Sequence, residues 1–320
     1  MSNFFARLFG SPRKEAAQEA PLSKEIPTIP LEQAPAPVTI KTEAAVPAAP
    51  APAAAPRLET RQFEAGCAQS VGRSREHNED SVLLINTLLS NNGGHIPLGL
   101  FIVADGMGGH KHGEVASGLA VRSIANQVMR KIFLSLVTTR PTPPDEPIQE
   151  ILEGAVIDAH RVIMKEAPGS GTTLTALLLV DEHMSIAHVG DSRAYLFPDD
   201  GAPQVLTRDH SLVMRMQELG QITAEEAAIH PQRNVLYRAL GQGEPFSPDI
   251  TSSPLPDGGH LLLCSDGLWG VVPEDQLVEL LRSAPDLNSA CQMMVDAANE
   301  AGGPDNISAL LVRLPDVRQA

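Results

Sequence analysis

"LFIVADGMGGHKHGE", Leu100 to Glu114, carries an apolar run that ends on Asp105 and is followed at once by glycine. A short apolar run bounded this way reads as a strand, and the pattern places a carboxylate at its stiff end. The glycines leave the next stretch of backbone bare, so that another group can approach it closely. Just upstream, "SVLLIN" (Ser81 to Asn86) reads as a second short strand, and "LGLFIVA" (Leu98 to Ala104) extends the first. From Glu114 the period changes. Val121, Ile124, Val128 and Ile132 mark one face of a long helix, which "TTRPTPPDEP" breaks.

Further out, Ile148, Ile151, Leu152, Ala155, Val162 and Ile163 mark a second amphipathic helix. "TLTALLLV", "MSIAHV" and "RAYLF" follow as closely spaced strands, and their short gaps predict an antiparallel meander. Thr223 and Glu226 form a capping box in "TAEE". "HLLLC" reads as a strand buried on both faces, "PEDQLVELLR" and "NSACQMMVDAANEAG" as helices, and "NISALLVRL" as a closing strand. Helices come in pairs and strands in hairpins. That is not βαβ alternation, and it predicts two antiparallel sheets with helices packed outside them.

Composition divides the 320 residues. Residues 1–60 hold 10 of the 27 prolines and 14 alanines, too little apolar area to offset the entropy of ordering, so a disordered Ala/Pro-rich tail is expected there. Its start contains Phe4, Phe5 and Phe9, which read either as a frayed terminus or as a short docking helix. The tail has six basic and six acidic residues, so the whole net charge of −15 falls on the remainder. Such a charge disfavours nucleic acid and anionic membrane as general partners and suits a protein that collects cations. No apolar run spans a bilayer. Cys67, Cys264 and Cys291 lie far apart and read as reduced thiols of a cytoplasmic protein.

Acidic residues recur at strand ends. Asp105 follows "LFIVA", Asp191 follows "SIAHVG", Asp266 follows "LLLCS", Asp305 precedes the last strand, and Glu79 and Asp80 precede "SVLLIN". Each alone fits a turn. Gathered together they would repel one another unless cations lay between them, and oxygen ligands without Cys or His favour Mg²⁺ or Mn²⁺. Arg75 could hold a phosphate beside such ions through its planar fork. Bound water of lowered pKa would then serve as nucleophile, so no Cys or Ser is needed for attack. Two rivals fail: "APGSGTT" lacks the lysine of a nucleotide-binding loop, and "VADGMGG" lacks the second aspartate of a phosphoaspartate site.

In order, "GRSREHNED", "VADGMGGHKHGE", "GSGTTLTALL", "HVGDSRAYLF", "LTRDHSLV", "HPQRNVLYRALG", "LLLCSDGLWG" and "GGPDNISALLV" resemble the successive motifs of the metal-dependent protein phosphatases of the 2C type, and of their bacterial serine/threonine branch. The likeness runs from about Phe63 to Pro315, within an expected catalytic domain over residues 61–316. It implies an α+β fold, a four-layer α–β–β–α sandwich of two antiparallel sheets flanked by helices. It also implies two Mn²⁺ or Mg²⁺ ions in a cleft and a third, weaker ion. By motif, Asp105 bridges the pair, Gly106 offers its carbonyl, Asp266 and Asp305 are direct ligands, and Glu79 and Asp80 lie in the inner or water-mediated shell. Asp191 joins Asp266 at the third ion, and Arg75 grips the phosphoryl group. Arg75, Asp105 and Asp266 are thus the expected catalytic residues. Val205 to Arg238 would form a flap beside the cleft. Met107 stands where animal relatives carry a histidine, and His110 and His112 read as loop histidines. The expected reaction is hydrolysis of phosphoserine and phosphothreonine in proteins phosphorylated by a serine/threonine kinase, carried out by a monomer. The alternative is a non-catalytic pseudophosphatase of the same fold, which should lack metal carboxylates; here the set is complete.

Overall fold

The computed structural model describes residues 62–91, 94–108, 113–138 and 144–315. The tail, the Phe-rich start, His110 and His112 lie outside these residues. Twelve strands are present among them: β1 Glu64–Ser70, β2 Ser81–Asn91, β3 Gly94–Ala104, β4 Gly106–Met107, β5 Gly171–Thr172, β6 Leu174–Val180, β7 His183–Val189, β8 Arg193–Phe197, β9 Gln204–Val205, β10 Asp249–Pro254, β11 His260–Cys264 and β12 Ile307–Arg313. One sheet runs β1-β12-β11-β8-β9, the other β10-β7-β6-β3-β2, and β4 pairs with β5 in a small ribbon. All pairings are antiparallel.

Side-chain alternation along a strand explains three separate apolar layers. Phe101 and Val103 of β3 point between the sheets and meet Leu261, Leu263, Leu310 and Val312. Their neighbours Leu100 and Ile102 point outward, under the helices Gly113–Val128 and Ile148–Glu166. On the other sheet, Leu262 and Cys264 pack outward with Leu277, Met294 and Val295 of the helices Glu274–Ser283 and Leu287–Glu300. Both sheets are therefore covered on both faces. That is why "LFIVA" and "HLLLC" are unbroken apolar runs rather than alternating ones. Each fully buried Leu or Phe contributes about 1.5–3 kcal/mol of transfer free energy. The α–β–β–α sandwich is the architecture expected from the sequence.

Two local expectations are corrected. The meander does not form: β6 and β7 pair as a hairpin, but β8 belongs to the opposite sheet, between β11 and β9. The chain crosses at Gly190, whose φ of +102° turns it out of β7. A Cβ there would also lie 2.7 Å from the Thr173 side chain. In the first long helix, a π turn over Met129–Phe133 interrupts the regular period. The wider turn lets the adjacent residues Ile132 and Phe133 both reach the core, which a 3.6-residue period disfavours.

The flap region carries two short helices, Leu212–Glu218 and Ala224–Ala228. The capping box is present: Glu226 N–H donates to Thr223 Oγ1 at 3.2 Å, and Thr223 N–H donates to Glu226 Oε2 at 2.8 Å. Leu219, Ile229, Val235 and Tyr237 are exposed here, and little of the segment enters a core. By that measure it lies at the low end of local stability.

Candidate active site

The carboxylates arrive from both sheets. Asp80 precedes β2, Asp105 follows β3, Asp191 sits in the crossing between β7 and β8, Asp266 opens the one-turn helix Asp266–Trp269 after β11, and Asp305 precedes β12. Asp105 is fixed through its backbone. Its N–H donates to Thr173 Oγ1 at 2.9 Å, and its carbonyl accepts from Thr173 N–H at 2.8 Å and Thr172 Oγ1 at 2.9 Å. "GSGTT" is thus a cradle for the Asp105 backbone as well as a turn into β6. Thr173 Oγ1 also meets Ser192 Oγ at 2.6 Å, which ties Asp105 to the Asp191 corner.

Asp80 is held by two hydroxyls that the sequence did not single out. Its Oδ2 accepts from Ser265 Oγ at 2.9 Å and from Ser308 Oγ at 2.6 Å. Asn306 likewise went unnoticed. Its side chain donates to the Val71 and His77 carbonyls and accepts from Glu79 N–H, fixing the loop that delivers Glu79 and Asp80. Only the Asn in "PDNIS" hinted at this role, since a buried Asn needs partners.

Burial and mutual repulsion dominate the electrostatics. Burial pushes the Asp80 carboxyl up to about 7, with Ser308 and Ser265 pulling it back and Asp266 and Asp305 adding repulsion. Asp266 is pushed up to about 6 by burial and then by Asp305. Asp105 and Asp191 stand well above the usual carboxylate range, again through burial and then neighbouring carboxylates. Asp80 Oδ1 and Asp266 Oδ1 are buried with no hydrogen-bond partner. Orphaned buried oxygens in a mutually repelling set fit hard divalent cations, which supply the missing charge and the missing partners at once.

A pH dependence follows. These groups have folded-state values raised above their unfolded ones, so they bind protons in the metal-free fold. Their contribution to its stability is present below the ordinary Asp value and is lost as pH rises through about 6 to about 7. Buried His188, lowered to about 3, opposes this trend in the metal-free protein but cancels when the same pH is compared with and without metal. The rise in melting temperature on adding Mn²⁺ is therefore expected to grow between about pH 5 and about pH 8, as the ligands lose their protons. Paired thermal scans check this; a rise independent of pH would contradict it.

Arg75 lies beside this set, with Nη2 donating to Asp305 Oδ2 at 2.7 Å. Its side chain is about half exposed. The Glu79 carboxylate gathers with His77 and Glu114, all three ligand atoms lying within 4.8 Å of one another, and His77 Nε2 is 3.5 Å from Glu79 Oε1. The sequence reading named Glu79 but neither His77 nor Glu114. Gly106 is required for space: a Cβ there would lie 2.3 Å from the Gly113 carbonyl and 2.6 Å from that of Glu79.

Two facing sheets between helix pairs thus carry, at their ends, a set of buried carboxylates suited to divalent cations. The chain belongs to the protein phosphatase 2C family, whose model matches residues 65–307. Serine/threonine phosphatase stp of Listeria innocua is 40% identical over 241 residues, which is 75% of this chain and 92% of that protein. Protein phosphatase PhpP of Streptococcus pneumoniae is 35% identical over 248 residues, 76% of this chain and 94% of that one. Among solved structures, the Mycobacterium tuberculosis serine/threonine phosphatase PstP/Ppp gives a TM-score of 0.66 at 32% identity, covering 79% of this chain and 99% of that one. The catalytic domain of PstP in complex with 2 manganese ions gives 0.63 at 31% identity, covering 80% and 99%. This chain is a metal-dependent serine/threonine protein phosphatase.

Proposed function

We propose that residues 61–316 hydrolyse phosphoserine and phosphothreonine in proteins by direct attack of water, with no covalent phosphoenzyme. The observation that carries this reading is the pair of buried, unpartnered oxygens on Asp80 and Asp266 within the carboxylate set. Asp105, the Gly106 carbonyl, Asp266 and Asp305 would hold two Mn²⁺ or Mg²⁺ ions, with Asp80 and Glu79 beside them, and Asp191 would join Asp266 at a third. When bound, such ions supply water of lowered pKa and neutralise phosphoryl charge. The chain's own part is to fix ligand positions through Thr172, Thr173, Ser265, Ser308 and Asn306. Arg75, half exposed, is free to swing from Asp305 and present its fork to phosphoryl oxygens. A thiolate route is disfavoured, because burial pushes Cys264 and Cys291 up to about 12. The substrates are phosphoproteins made by a serine/threonine kinase, and the enzyme acts as a cytoplasmic monomer.

The deciding assay is hydrolysis of an aryl phosphate and a phosphothreonine peptide with Mn²⁺, with Mg²⁺ and with excess chelator. Activity is expected with either ion and is lost in chelator. Full turnover in chelator sinks the metal reading. Peptide binding without turnover in Mn²⁺ favours the pseudophosphatase. Deleting residues 1–60 is expected to leave melting temperature and peptide turnover nearly intact, because those residues supply no proposed ligand. Loss of most of kcat in the truncated protein would show that the boundary is misplaced.

A further inference from the structure

The small ribbon that follows Asp105 has a third member. Thr172 of β5 pairs with Gly106 of β4 on one edge and with Leu240 on the other. Leu240 N–H donates to the Thr172 carbonyl at 2.9 Å, and Thr172 N–H donates to the Leu240 carbonyl at 3.1 Å. Thr172 Oγ1 donates to the Asp105 carbonyl at 2.9 Å, so the residue that Leu240 grips is one that seats Asp105.

Leu240 is held through its neighbour. Gly241 N–H donates at 3.0 Å to Nδ1 of His160, which stands on the helix Ile148–Glu166. His160 is 1% exposed, and its ring stacks on Phe246 with centroids 4.0 Å apart and planes 10° from parallel. A backbone N–H can only donate, so Nδ1 accepts and the ring proton is on Nε2. Nε2 lies 3.6 Å from Glu244 Oε1, beyond hydrogen-bond reach, and has no partner among the described residues. Among those residues the ring therefore makes one hydrogen bond, the one to Gly241. Burial holds the ring below the ordinary histidine value, with Glu244 pulling it back up, and keeps the accepting neutral form present at neutral pH. The fit is close. Gly241 has a φ of +79°, and a Cβ there would lie 2.4 Å from Ile163 Cγ2 and 2.8 Å from the Ser170 carbonyl. A Cβ on Gly171 would lie 2.9 Å from the Leu240 carbonyl.

We propose that His160 is a positioning residue for the reaction: its neutral ring pins Leu240 and Gly241 against β5 and thereby sets, through Thr172, where the Asp105 carboxylate stands. The path runs from the ring to Gly241, along the chain to Leu240, across to Thr172, and by the Thr172 hydroxyl to Asp105. Only its last member is a candidate ligand. Without the acceptor, the Gly241 N–H loses its partner and the loop is free to lift from β5, which leaves Thr172 held on one edge alone. This rests on the assignment of Asp105 as a cation ligand.

The test separates the two claims. Mn²⁺ is titrated calorimetrically into metal-free full-length protein, and kcat and KM for an aryl phosphate are measured at saturating Mn²⁺, both well below each variant's melting temperature. His160→Asn keeps an acceptor near the Nδ1 position. His160→Leu removes it, and His160→Gln carries its amide past it toward the Nε2 position. His160→Leu and His160→Gln are expected to weaken the tightest class of Mn²⁺ sites and to lower kcat by about tenfold or more, with KM moving less than about threefold, while His160→Asn stays within about threefold of wild type throughout. In a Thr172→Val background the effect of His160→Leu is expected to shrink to about threefold or less, because both changes act along one path. Wild-type affinity and kcat in His160→Leu and His160→Gln overturn the proposal, even if melting temperatures fall. Equal damage in His160→Asn also overturns it, placing the effect on the stack with Phe246. An undiminished effect in the Thr172→Val background does so too, since the path then bypasses Thr172. Failure of both His160→Leu and His160→Gln to fold, read by circular dichroism, assigns His160 to stability and overturns it as well. Asp105→Asn marks the underlying assignment: if that variant keeps the tightest class of sites and kcat, Asp105 is not a ligand; if it loses them while His160→Leu retains them, only the positioning claim fails.

Discussion

Asp266→Asn is expected to lower kcat by about a hundredfold or more at saturating Mn²⁺ while leaving the fold intact. Asp266 follows β11, whose residues Leu261 to Cys264 are buried on both faces, so the carboxylate is anchored by one of the stiffest parts of the molecule. The backbone after it has no room to adjust: a Cβ on Gly267 would lie 2.0 Å from the Asn306 carbonyl. Asparagine keeps shape and position but binds a hard cation more weakly. In the metal-free protein the same change removes a charge that burial and Asp305 already oppose. The new amide can donate toward neighbouring carboxylates instead of repelling them, so the metal-free melting temperature should hold or rise. The check is kcat across a Mn²⁺ titration together with thermal melting in chelator. Near wild-type kcat would remove Asp266 from the site, and an unfolded variant would make it structural.

The second large effect is expected at Gly106. Its φ is ordinary, so the constraint is purely spatial: alanine would place a methyl against two backbone carbonyls, those of Gly113 and Glu79. Backbone cannot rotate away as a side chain can. The Glu79–Asp80 loop and the start of the helix Gly113–Val128 must move apart, carrying Asp80 away from Asp105. Gly106→Ala should cost about 1–3 kcal/mol of stability, as overpacking does. It should also cost about a hundredfold in kcat/KM, since displacing ligands by an ångström has that scale. Gly154→Ala is the internal control. It lies mid-helix with nothing within 4 Å of the new methyl, so alanine there should stabilise by about 0.4–1 kcal/mol. Denaturant midpoints for the two variants should move in opposite directions; a shift of the same sign in both would refute the spatial argument.

The strands and helices that bury long apolar runs were legible because the core demands them, whereas β1 and β10, with mostly half-buried or exposed residues, were not. "LFIVA" announced a strand and "HLLLC" a strand covered on both faces, and the helices showed their apolar faces at the right spacing. What escaped was decided by single residues acting across the fold. One glycine, Gly190, sends β8 into the other sheet, and no local period records that. The π turn keeps Ile132 on the buried face, so the spacing alone could not reveal the extra residue. At the site, the aspartates stood out because strand ends display them. Their supports did not: Ser265, Ser308, Asn306 and Thr173 look like ordinary turn and strand residues until tertiary contacts bring them to a carboxylate. His77 and Glu114 were hidden for the same reason, each lying in a quoted motif beside a more conspicuous neighbour.

The two sheets are the halves of a sandwich, and the acidic residues are divided between them. Asp80 and Asp105 come from the sheet holding β2 and β3, Asp266 and Asp305 from the sheet holding β11 and β12, and Asp191 from the crossing. On the proposed ligand set, a cation held by Asp105 and Asp266 would be a tie between layers, comparable in kind to a cross-link that closes a very long loop. The hydrogen bond from Ser265 to Asp80 already joins residues 185 apart at the same seam. Such a tie removes more freedom from the unfolded chain the longer the loop it closes. On the proposed ligand set, metal loading would set how firmly the two halves of the molecule are clamped together as well as whether the cleft is reactive.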